Sequence, residues 1–164
     1  MKAVKLSNIK FVVFDFDGVF TDNRVFASAD GKEVVLCSRA DGLGLARLKE
    51  LSIPSLVISS EPNSVVGVRC RKMGISWVQD CKNKLRVLKT RARKLSVPLS
   101  EVCYLGNDLN DVECLEAVGM PVCVADSYTE AKRVSRVILK TKGGHGAVRE
   151  LCDRLWSSHQ RRRK

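Results

Sequence analysis

Strand-like and helix-like segments alternate along almost the whole chain, and that rhythm limits the fold more than any other feature. The segments 10–16, 54–59, 76–79, 102–106, 120–124 and 136–139 are short, apolar and mostly rich in β-branched residues, which marks buried strands. Between them lie helical patterns near 40–51, 62–73, 83–96, 109–118 and 127–134, and a last amphipathic helix follows Gly146. Strands separated by helices pair in parallel, with the helices covering both faces of the sheet. The expected class is therefore α/β, a Rossmann-like three-layer sandwich with a mainly parallel sheet. One stretch breaks the rhythm. "RVFASADGKEVVLCS", residues 24–38, is two extended runs around Asp30-Gly31, and it reads as a β-hairpin protruding from the sheet.

The length of 164 residues suits one domain, and no linker or repeat divides it. The expected organisation is a single domain over 1–160 and a basic tail, "RRRK", over 161–164. No apolar stretch approaches a membrane span, and the run at 11–14 is broken by Asp15, so neither a membrane anchor nor a signal peptide is expected. Seven cysteines (37, 70, 81, 103, 114, 123 and 152) are scattered through apolar segments without CxxC pairs or zinc spacing. They read as reduced, mostly buried thiols of a cytoplasmic protein.

Lys and Arg number 29 against 18 Asp and Glu, a net charge of +11. Much of the excess lies in the final "RRRK" and in "KNKLRVLKTRARK", 82–94, where Leu85, Leu88, Ala92 and Leu95 define the apolar face of a basic helix. Such a face is a solvated surface, or a field that gathers anionic substrates. Aromatic residues are only 5% of the chain and do not interleave with the basic run, so a nucleic-acid partner is not expected.

In a parallel sheet, ligands bind at the carboxyl ends of the strands, and the unusual residues collect there. "FVVFDFDGVFTD", 11–22, runs a buried strand straight into Asp15 and Asp17. Two carboxylates in that place repel each other and lose hydration unless something balances them. Residues i and i+2 of a strand share a side, so Asp15 and the backbone near Asp17 can share a hard cation such as Mg²⁺. "SLVIS" ends in Ser59, followed by Ser60 and Glu61; Lys84 opens the basic helix; "YLGNDLND" supplies Asn107, Asp108 and Asp111.

In that order these motifs resemble the haloacid dehalogenase superfamily. "DFDGVFTD" matches its DxDGxxTD motif, Ser59 its second motif, Lys84 its third and "GNDLND" its acidic fourth. The resemblance implies phosphoryl transfer with Mg²⁺. Asp15 is then the nucleophile, Asp17 the general acid and base whose carbonyl also meets the metal, and Ser59 and Lys84 hold the phosphoryl oxygens. It further implies Asn107 as a metal ligand, with Asp108 and Asp111 as ligands or supports. The spacing between motifs leaves no room for a cap domain, so the chain is similar to the capless branch. That branch acts on octulosonate 8-phosphates and nonulosonate (sialic acid) 9-phosphates. It assembles as a homotetramer through the hairpins, a neighbour's C-terminal segment closing each site. On the same resemblance the substrate-binding set is Thr21, Ser60, Glu61, Arg69 and Lys72, the last two spaced on one helix face. One position departs from the family: the first Asp of its GDD is Asn107 here. The GND form also occurs in the domain attached to CMP-sialate synthetases. A weakly active tetramerisation domain, fused to a cytidylyltransferase, is accordingly the alternative to a Mg²⁺-dependent sugar-acid phosphatase.

Overall fold

The computed structural model describes residues 5–163. Six strands form one all-parallel sheet: β1 (Phe11–Phe14), β4 (Ser55–Ile58), β5 (Ser76–Val78), β6 (Val102–Gly106), β7 (Met120–Cys123) and β8 (Val137–Ile138). Their spatial order is β5-β4-β1-β6-β7-β8. The chain winds outward from β1 through β4 to β5, then crosses to β6 on the other flank of β1 and winds outward again. The order therefore reverses between β1 and β6, and the crevice at their carboxyl ends is where such sheets bind ligands.

Strand residues alternate between two cores. Val12 and Phe14 of β1 and Leu105 of β6 face one side, with Leu45 and Leu48, Val66 and Cys70, and Val148 and Leu155. These come from α1 (Ala40–Glu50), α2 (Val65–Met73) and α6 (Ala147–Arg163). Phe11, Val13 and Tyr104 face the other side, with Leu88 and Ala92, Leu115, and Ala131. These belong to α3 (Lys84–Lys94), α4 (Val112–Ala117) and α5 (Thr129–Val134). Both faces of β1 are buried, which is why its sequence is continuously apolar instead of alternating.

The hairpin is present, but its paired part is shorter than 24–38: β2 (Phe26–Ala27) pairs antiparallel with β3 (Glu33–Val34). Gly31, at φ +79°, makes the turn, and the Thr21–Cys37 bridge closes the base. Helix α4 starts later than expected because Asp108 and Asp111 cap each other in a capping box, winding Leu109–Asp111 as a 3-10 turn. Helix α2 starts at Val65, after Pro62 and a turn in which Asn63 Oδ1 accepts from the Val65 amide at 3.0 Å. The boundary expected at 160 is not structural. No Pro or Gly interrupts α6, whose backbone passes through 161–163, while Lys164 and Met1–Val4 lie outside the described residues. All seven cysteines are free thiols, six of them buried and Cys37 half-buried. Among the described residues no helix is long and apolar enough to cross a membrane.

Candidate active site

The end of β1 builds the first part of the site. The Asp15 amide donates to Leu105 O at 2.9 Å, pinning the loop to the neighbouring strand, and the Phe20 amide closes a turn onto Phe16 O at 2.8 Å. Gly18 adopts φ +75°, and a Cβ there would lie 2.0 Å from Asn107 Nδ2. Only glycine accepts both that backbone and that approach. Thr21 is fully buried, and its Oγ1 accepts from the amides of Gly18 (3.1 Å) and Asn23 (3.2 Å). Its hydroxyl is turned to Asp17 Oδ1 at 3.4 Å. Thr21 therefore organises the loop that carries Asp15 and Asp17.

Asn83 caps α3, its Oδ1 accepting from the Arg86 amide at 2.8 Å, which makes Lys84 the first helical residue. Lys84 Nζ lies 2.8 Å from Asp15 Oδ1 and 2.8 Å from Asp111 Oδ1. All three groups are buried, at 5%, 4% and 0% exposure. Burial lowers the affinity of Lys84 for its proton, but the two carboxylates overcome it and hold the ammonium above its ordinary pKa. Burial, reinforced by the charge of Asp111, pushes the Asp15 carboxyl up to about 8 in spite of Lys84.

Asp111 is occupied by protein donors: Lys84, the Tyr104 hydroxyl (2.7 Å) and the Asn107 amide (2.9 Å). It anchors Lys84 and the turn, the supporting one of the two roles expected for it. Asp108 accepts from the Leu109 amide at 2.6 Å and serves as the cap of the 3-10 turn. Neither of these two expected metal residues supplies an oxygen to the cradle described next.

The side-chain amide of Asn107 lies against the carbonyl oxygen of Asp17 at 2.9 Å and Asp15 Oδ2 at 3.3 Å. With its nitrogen on that side it donates to both, and with its oxygen there it presents a third oxygen to a cation. Adjacent oxygens around an octahedral Mg²⁺ with bonds of about 2.0–2.1 Å stand about 3 Å apart, and the cradle has that spacing. One carboxylate, one peptide carbonyl and one amide form a hard, all-oxygen donor set that fits Mg²⁺. Among the described residues no three His, Cys, Asp or Glu side chains cluster as a metal site. The residues placed to hold a cation are thus Asp15, Asp17 through its carbonyl, and Asn107.

Ser59, 1% exposed, ends β4; its Oγ accepts from the Glu61 amide at 3.0 Å, leaving its own proton to donate. Glu61 Oε1 accepts from the Asn63 amide at 2.8 Å. Glu61 lines, with Asp17, a cavity of about 230 Å³ between the hairpin and the β4–α2 loop. Burial first, then the Glu61 carboxylate, raises the pKa of half-buried Asp17. Ser60 is exposed beside this loop. Arg69 and Lys72 do not join the cavity. Arg69 Nη2 donates to Ser38 O at 2.8 Å, and both residues line a separate depression with Arg39. Within one chain these two residues lie apart from the Asp17 cavity.

Two contributors escape sequence reasoning. Tyr104 reads as a core strand residue, yet it holds Asp111. The "GGHG" loop carries no chemistry of its own, but Gly143 packs so tightly that a Cβ would lie 2.0 Å from Gly18 O. The Gly144 amide bonds to Val19 O at 3.1 Å and the Gly143 amide to Asp126 Oδ1 at 2.9 Å. This loop clamps the nucleophile loop from behind.

Comparison with known proteins agrees with this geometry. Residues 61–151 match the family described as haloacid dehalogenase-like hydrolase. The 3-deoxy-D-manno-octulosonate 8-phosphate phosphatase KdsC of Escherichia coli K12 is 32% identical over 152 residues, covering 92% of this chain and 81% of that one. The 3-deoxy-D-manno-octulosonate 8-phosphate phosphatase of Moraxella catarrhalis, in complex with magnesium, phosphate and KDO, has a TM-score of 0.91 at 30% identity. That alignment covers 94% of this chain and 90% of that one. The cobalt-bound deoxy-D-mannose-octulosonate 8-phosphate phosphatase of Haemophilus influenzae gives 0.90 at 30% identity, covering 96% and 92%. With its strand order, its buried Asp15–Lys84–Asp111 constellation and these relatives, the chain belongs to the haloacid dehalogenase-like hydrolases, on the branch of the octulosonate 8-phosphate phosphatases.

Proposed function

We propose that the chain is a Mg²⁺-dependent phosphatase of a sugar-acid phosphate, of the octulosonate 8-phosphate or nonulosonate 9-phosphate type. The observation that carries this reading is the convergence of Asp15 Oδ2, the Asp17 carbonyl oxygen and the side-chain amide of Asn107, which can present its oxygen there, with Lys84 on the other oxygen of Asp15. These three oxygens would hold Mg²⁺, which when bound offsets phosphoryl charge and orients the phosphate.

Asp15 Oδ1 attacks phosphorus, and the bond from phosphorus to the leaving oxygen breaks. Lys84 and the Ser59 hydroxyl receive the charge that develops on the phosphoryl oxygens. Asp17, whose raised pKa favours the protonated form, gives its proton to the leaving alkoxide. It then takes a proton from water, which attacks phosphorus and releases the Asp15 carboxylate. Asn107 in place of aspartate removes one negative charge but keeps an oxygen, so the cradle remains complete. That favours a working enzyme over an inactive tetramerisation domain.

Assembly as a homotetramer through the hairpin belongs to the same proposal. Phe26, Val34 and Leu36 are exposed by 69%, 56% and 72%, an apolar surface that a lone chain leaves in water. The test is phosphate release from 3-deoxy-D-manno-octulosonate 8-phosphate and from a sialic acid 9-phosphate, with Mg²⁺ and with chelator, by wild type and Asp15→Asn. Mg²⁺-dependent turnover abolished in the variant is expected. Turnover that survives Asp15→Asn in pure protein would remove Asp15 as nucleophile.

A further inference from the structure

The cavity beside Asp17 has two walls of different origin. The hairpin and its base supply Arg24, Val25 and Glu33, while Glu61 and Val65 come from the β4–α2 loop. Asn63 joins the two walls. Its side-chain amide donates to Glu33 Oε2 at 3.0 Å and its backbone amide to Glu61 Oε1 at 2.8 Å. Its own Oδ1 is held by the Val65 amide at 3.0 Å, so the first turn of α2 fixes the whole arrangement. Among the described residues no protein donor reaches the second oxygen of Glu33 or of Glu61. Arg24 does not neutralise the wall, because its guanidinium is already paired with Asp22 at 2.9 and 2.6 Å.

We propose that the hairpin is a specificity wall of its own chain's active site, its Glu33, positioned by Asn63, accepting a hydroxyl group of the leaving group across the cavity from Glu61. The inference rests on the phosphatase reading, since Asp17 protonates the leaving oxygen and the leaving group must then extend from Asp17 into this cavity. A volume of about 230 Å³ is below the ~300–1,000 Å³ of pockets for drug-sized ligands and suits a sugar-sized group. Free carboxylate oxygens accept hydroxyl protons but repel an anion. The wall therefore takes the polyol arm that carries the phosphate, and the carboxylate of a sugar acid lies outside the cavity. An octulosonate 8-phosphate meets that demand, because its phosphate and carboxylate are at opposite ends of the carbon chain. The hairpin so acts within one chain, apart from any part in assembly.

The test compares kcat/KM for 3-deoxy-D-manno-octulosonate 8-phosphate with kcat/KM for phenyl phosphate, which has no hydroxyl. Glu33→Gln keeps the size and the bond from Asn63 while removing the charge. The ratio is expected to fall about ten- to hundredfold, the range for losing a charge-assisted hydrogen bond. Asn63→Ala, which frees Glu33 while its backbone amide still holds Glu61, is expected to lower the same ratio. An unchanged ratio, or equal losses on both substrates with the assembly unaltered in light scattering, overturns the inference. If the wild type turns over neither compound, the phosphatase reading fails separately. Calorimetric binding of free 3-deoxy-D-manno-octulosonate then decides the inference: weaker binding by Glu33→Gln upholds it, and equal or absent binding in both proteins overturns it.

Discussion

Replacing Lys84 by methionine removes the one cation that lies between two buried carboxylates and leaves the volume filled. Asp15 and Asp111 each lose a 2.8 Å partner in a place without solvent to replace it. Breaking a buried pair in this way costs about 3–5 kcal/mol. For a chain of this size, about 2–4 °C of Tm per kcal/mol makes the expected drop about 6–20 °C at pH 8 without metal. The sign with pH follows from linkage. The pKa of Lys84 is raised in the folded state, so its contribution is complete at neutral pH and is lost only when strong alkali deprotonates it. The deficit of the variant must shrink as pH falls, because protonation of Asp15, whose pKa burial raises, removes a charge left unpaired. Combining Lys84→Met with Asp111→Asn should return about 0.5–3 kcal/mol, since the uncompensated carboxylate goes while the Asn107 amide keeps an oxygen to bond and the Tyr104 hydroxyl can accept from the new NH2. Activity should be lost in both variants. Thermal denaturation between pH 5 and pH 8 is the assay. A Tm for Lys84→Met equal to that of wild type at pH 8 would refute the reasoning, as would a deficit that grows on acidification.

Three further outcomes are expected. Mg²⁺ must displace the proton of Asp15, whose pKa is pushed up to about 8, so metal affinity should fall about tenfold per pH unit below that value; affinity from Tm shifts that is flat from pH 6 to pH 8 would contradict this. Asn107→Asp should lower the Mg²⁺ concentration giving half-maximal activity, because a charged oxygen replaces a neutral one in the cradle; an unchanged or higher requirement removes Asn107 from the ligand set. Gly143→Ala places a Cβ 2.0 Å from the backbone oxygen of Gly18, which must shift the nucleophile loop; kcat should fall at least tenfold, and wild-type kcat with wild-type Tm would show that the loop does not need the clamp.

The strand and helix pattern was legible in the sequence because burial writes a period into it. β1 is apolar on both faces since both are covered, and α3 shows Leu88 and Ala92 at helical spacing above its basic residues. Asp15, Ser59 and Asn107 were legible too, because a polar side chain at the mouth of a buried strand has few bland reasons to be there, and Lys84 because it opens a helix in the order of the motifs. Roles were another matter. Thr21, Asp108 and Asp111 have the composition of ligands, and only the folded chain assigns their oxygens to backbone amides, to Lys84 and to Tyr104. Arg69 and Lys72 share a helix face as their spacing requires, but which depression that face borders depends on how α2 packs beside Ser38. The clamp of Gly143 on Gly18 and the tie of Asn63 to Glu33 join residues far apart in the chain. Sequence carries local periodicity and residue chemistry. Which donor meets which acceptor is set by distances of about 3 Å between segments that only the tertiary fold brings together.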